Sequence, residues 1–125
     1  MVLETLPIPL TVCKLASADG IDWKADFTFI GKTDEELSLV CPTKAVPADT
    51  VAREDGWRGF RIQGVLDFSL TGILSRLSGL LAEEGIGLFA VSTYNTDYIL
   101  VKQENLDRAL RTLADAGYRV APADQ

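Results

Sequence analysis

The feature that most constrains this chain lies in its second half, where two helical periods flank a pair of strand-length runs. Leu70, Ile73, Leu74, Leu77, Leu80 and Leu81 recur at the spacing of one helix face, and Gly85 stands where a left-handed C-terminal cap is expected. Leu106, Ala109, Leu110, Leu113 and Ala114 repeat the pattern and end at Gly117. Between them, Ile86 to Ser92 and Asp97 to Lys102 read as strands joined by the short Thr93 to Thr96 connection of a hairpin. Trp57 to Leu66, with Phe60 and Ile62 alternating against Arg61 and Gln63, reads as a strand before the first helix, and Tyr118 to Ala121 as one after the second. The order strand, helix, strand, strand, helix, strand is that of a ferredoxin-like βαββαβ unit, an α+β fold with both helices on one sheet face.

The first half is richer in strands. Pro9 to Leu15, Phe27 to Gly31 and Leu37 to Cys41 read as strands, and Thr33 with Glu36 matches a capping box for a single helical turn between the last two. Placing Thr33 over Thr93 aligns the halves at an offset of 60 residues. The stretch from Ser17 to Ala25 is too short and polar to equal the long helix of the second half, and Gly20 would interrupt it. The expected organisation is thus an abbreviated, strand-rich unit with its linker over residues 1–56 and a full unit over 57–125. Pro42 to Gly56, with two prolines and the charged AREDG segment, reads as a surface linker or short helix.

Charge and composition exclude several functions. A net charge of -6, with the 12 basic residues scattered, repels phosphate backbones, so nucleic acid is not an expected partner. No apolar run approaches the ~20 residues of a membrane span, and the N-terminal stretch, with Glu4 and two prolines, lacks the basic head of a secretory signal. A cytoplasmic protein is expected. Cys13 and Cys41 lie in apolar stretches as small hydrophobes. With no histidine, no metal-ligand cluster, no phosphate loop and no base near either cysteine in sequence, an enzyme is not expected and no cofactor is called for.

The stretch GVLDFSLTGILSRLSGLLAEEGIGLFAVSTYNTDYILV resembles the ACT domain, and in particular small two-unit ACT proteins similar to the ACT pairs of animal cytosolic arginine sensors of the CASTOR type. The resemblance rests on DFSLTGI at 67–73, STYNTD at 92–97 and FTFIGKTDEELSLV at 27–40. It implies a regulatory module that binds an amino acid or similar zwitterion where two units meet, commonly as a homodimer, and acts on a downstream target that the chain itself does not reveal.

Helix-start amides are unpaired donors with partial positive charge, so an α-carboxylate can dock at Thr71, Gly72 and Ile73 without a basic side chain. The resemblance then adds Ser69 and Leu70 from the same loop, and Thr93, Tyr94 and Asp97 around the ligand's other end. Leu70 stands where the arginine sensors lead one to expect an acidic residue, which points away from arginine and toward a less polar amino acid. A plainer reading stands beside each assignment. Gly72 can serve helix-to-sheet packing, Ser69 or Thr71 can cap the helix, and Asn95 and Asp97 suit a turn whatever they bind. A dimerisation or partner-binding module without a small ligand is the competing function.

Overall fold

The structure is a computed structural model that describes residues 1–64 and 72–122. Eight strands are present, β1 (Val2–Thr5), β2 (Leu10–Leu15), β3 (Phe29–Lys32), β4 (Leu37–Pro42), β5 (Thr50–Ile62), β6 (Phe89–Ser92), β7 (Asp97–Lys102) and β8 (Arg119–Pro122). Two α-helices accompany them, α1 (Ile73–Glu83) and α2 (Leu106–Asp115). The chain divides into two compact units, one of Ile8–Trp57 and one of Met1–Pro7 with Arg58–Gln125.

The larger unit is the α+β, ferredoxin-like arrangement expected, with one addition. Its strands run in the order β6-β7-β5-β1-β8. β1 pairs antiparallel with the end of β5, Leu3 opposite Ile62, and parallel with β8, Leu3 opposite Val120. Nothing in the sequence reading marked Val2–Thr5 as a strand. Residues 1–7, expected to lie with the first half, instead sit within the sheet of the second.

Alternation along these strands sends Leu3, Phe60, Ile62, Ile99 and Val101 to one face, where they meet Leu77 and Leu81 of α1 and Ala109 and Leu113 of α2. All nine are fully buried, so this layer is the core that holds both helices on the sheet. Ile86 closes it beyond α1.

The smaller unit repeats the strand plan without α-helices. Its order is β3-β4-β2 followed by the first part of β5, all antiparallel. β3 and β6 begin 60 residues apart, as do β4 and β7, and the two 3-10 turns Thr43–Ala45 and Gln103–Asn105 keep the same offset. Both hairpins close alike, Thr33 N donating to Glu36 O and Thr93 N to Thr96 O, each at 2.9 Å. The Thr33 hydroxyl does accept from the Glu36 amide, at 3.1 Å, as a capping box requires. It closes a hairpin turn, however, and no helical turn forms between β3 and β4.

Where the larger unit lays helices over its sheet, the smaller one lays irregular chain. Ile21, Ala45 and Val46 cover Cys13, Leu15, Leu39 and Cys41. A Cβ on Gly20 would come within 2.9 Å of Pro47 Cβ, so glycine lets the two covering segments meet. The segment read as a linker is strand from Thr50 onward. Its charged residues have a use there, since Asp55 Oδ1 accepts from the fully buried Thr11 hydroxyl at 2.7 Å and pairs with Arg53 at 2.9 Å.

Candidate functional site

Helix α1 begins at an exposed glycine. Gly72 is the cap residue, with φ +81°, the left-handed conformation that glycine adopts without steric cost, and its carbonyl accepts the Arg76 amide at 2.8 Å. Among the described residues a Cβ placed on Gly72 would meet nothing within 4 Å, whereas the dihedral itself calls for glycine. Among the described residues no side-chain hydrogen bond caps this helix, and no acidic residue stands in its first turn. Helix-start amides have no partner within the helix itself. Ser69, Leu70 and Thr71, named from the sequence, lie outside the described residues.

The first turn of α1 forms one wall of an open cleft of about 370 Å³, lined by Gly72, Ile73, Arg76, Met1, Ala116, Gly117 and Tyr118. Gly72 and Ile73 were expected at a site; the other lining residues were not. The topology explains their meeting. Gln63 N donates to Val2 O and Arg119 N to Met1 O, which sets the start of β1 and the α2 to β8 turn at the sheet end where β5 stops. Arg76 crosses between the helices. Its guanidinium lies 5.9 Å from the centroid of the Tyr118 ring and donates to the Ala116 carbonyl, at the end of α2, at 3.5 Å.

The hairpin residues Thr93, Tyr94 and Asp97 sit elsewhere, on the β6 to β7 turn, and do not line this cleft. Much of their polarity serves the turn. The Thr93 hydroxyl donates to Thr96 O at 3.0 Å, and Asp97 Oδ1 accepts from Ser92 Oγ at 2.7 Å. Tyr94 is 79% exposed. Thr96, which sequence reading passed over, is buried and donates to Ile62 O at 2.7 Å. That bond fastens the turn to the end of β5.

Neither cysteine offers a reactive thiol. Both are buried, and burial pushes the Cys41 thiol up to about 11, with the neighbouring Cys13 adding to the shift. Burial also raises Cys13. Among the described residues no group of three or more Cys, Asp or Glu side chains is placed to hold a metal, and no helix is long and apolar enough to cross a membrane.

Comparison with known proteins follows the fold. Over 99% of its length the chain is 33% identical to Atu0741 from Agrobacterium tumefaciens, covering 94% of that protein with a TM-score of 0.84. VC0802, a protein of unknown function from Vibrio cholerae, is 21% identical, with 89% of this chain and 85% of that one covered and a TM-score of 0.69. The regulatory subunit of aspartate kinase from Thermus thermophilus shares the fold at 11% identity, with 92% and 96% covered and a TM-score of 0.64. No curated protein sequence matches. The ACT domain model matches residues 52–115, a span that includes the end of β5, both helices and the hairpin between them. This chain belongs to the ACT domain family.

Proposed function

We propose that the chain is a regulatory module that senses an amino acid or similar zwitterion, works as a cytoplasmic homodimer, and carries no catalytic activity of its own. The observation that carries the reading is the ACT match over residues 52–115, since ACT domains are regulatory ligand-binding modules. The start of α1, which no described side chain caps, supports it, because helix-start amides and the dipole favour a carboxylate. The ligand's carboxylate docks at Thr71, Gly72 and Ile73, with Ser69 and Leu70 beside it and Thr93, Tyr94 and Asp97 at its other end. The likeness to the CASTOR-type arginine sensors belongs to this proposal, with Leu70 favouring a less polar ligand than arginine.

A thermal-shift screen against the common amino acids tests the reading. A ligand at 100 times its Kd stabilises the native state by ~2.7 kcal/mol, a rise in Tm of several degrees for a chain of this size. Self-association that persists while no amino acid shifts Tm would replace the sensor with the ligand-free dimerisation module.

A further inference from the structure

We propose that the cleft between the first turn of α1 and the α2 to β8 turn is a carboxylate site, in which Arg76 anchors the acid group of a small ligand whose apolar side chain rests on Ile73, Met1 and the Tyr118 ring. The inference rests on the amino-acid reading above and adds to it a cationic anchor and a side-chain class.

Three observations lead there. First, the cleft is charged against the trend of the chain: the protein carries -6 overall, yet among the described residues no aspartate or glutamate lines the cleft and Arg76 does. Second, the guanidinium makes no ion pair among the described residues, where Arg53 and Arg61 each lie beside a carboxylate. Its partners among the described residues are neutral, the Tyr118 ring and the Ala116 carbonyl, and do not offset its charge. A planar guanidinium so positioned presents remaining N–H donors in the fork that matches a carboxylate. Third, the volume of about 370 Å³ lies at the small end of ligand clefts, and its other walls are the Met1 and Ile73 side chains and a tyrosine ring, with the Gly72 and Gly117 backbones approachable between them. The acid group and an apolar side chain thus find their separate partners in one place.

The test is calorimetry on the full chain with leucine, phenylalanine, 4-methylpentanoate, which keeps leucine's acid and drops its amine, and 3-methylbutylamine, which does the reverse. Arg76→Gln is compared with Arg108→Gln, which removes the same charge from an exposed position on α2 outside the cleft. The expected result is that leucine or phenylalanine binds, that Arg76→Gln weakens binding at least about tenfold while Arg108→Gln leaves it within about twofold, and that the amine alone gives no heat. Should Arg76→Gln fail to fold, Arg76→Lys, which keeps the charge and loses the fork, is read in its place for a smaller loss. Amino-acid binding indifferent to Arg76 overturns the cleft and leaves the sensor reading intact. Arg76-dependent binding of 4-methylpentanoate as tight as that of leucine supports the cleft and overturns the zwitterion. No heat from any of these acids overturns the cleft, and the thermal-shift screen against the other amino acids then decides the sensor reading.

Discussion

A single hydroxyl decides where the hairpin turn sits. Thr96 is buried, and its bond to Ile62 O is the contact that ties the β6 to β7 turn to the last residue of β5. Thr96→Val keeps the shape and removes the donor, leaving a strand carbonyl with one partner fewer in a dry place. That should cost roughly 1–3 kcal/mol, whereas Thr96→Ser should recover most of it. Urea unfolding of the two variants measures the difference, and equal midpoints for valine and serine would show that the bond contributes nothing. The sequence reading singled out the neighbours of Thr96 and missed Thr96 itself, because an inward threonine and an outward one look alike in a polar tetrapeptide. Thr93 and Asp97 were noticed for their chemistry, and a good part of that chemistry is spent on closing the turn.

Elements were legible in proportion to their apolar period. β7 and α2 begin where alternation and helical spacing place them, at Asp97 and Leu106, because each buries one face against the same core. α1 begins at Ile73, three residues after the first apolar position of its period, since the left-handed Gly72 sets its start. Gly72→Val should therefore act on stability before it acts on any ligand. A β-branched residue at φ +81° costs about 1–2 kcal/mol or more, and Gly72→Asn, which tolerates that dihedral better, should cost less. Thermal unfolding without ligand checks this, and an unchanged Tm for the valine variant would mean that the cap relaxes to another conformation. The strand start at Thr50 and β1 were not legible. AREDG carries no apolar alternation to reveal an edge strand, and VLET is too short to show a period at all.

At the scale of the molecule, the duplicated plan could be read at its offset of 60 residues, and the departure from simple tandem order could not. Pairing between chain ends leaves no local signal. Yet β1 is no ornament: Leu3 and Leu6 are fully buried, and without β1 both β5 and β8 lose a hydrogen-bonded neighbour. A chain shortened to residues 8–125 should lose cooperative unfolding of the larger unit, with α1 and α2 left over an incomplete core. Circular dichroism melting checks it, and a transition as sharp and as high as that of the full chain would refute it. Residues 8–57 form a contiguous stretch and do not share this dependence.

The seat of β1 between β5 and β8 also bears on how the protein is made. β1 is synthesised well before the parallel partner that completes its pairing, Val120 opposite Leu3. Residues 8–57 can collapse while translation continues, and β1 can pair with β5, Leu6 N donating to Gly59 O, before β8 has been made. Loop closure over nearly the whole chain makes the docking of β8 on β1 the slow step of folding. A nascent chain stalled before residue 119 therefore exposes an apolar strand with only one of its two neighbours available, and quality control in the cell has a defined signal to recognise.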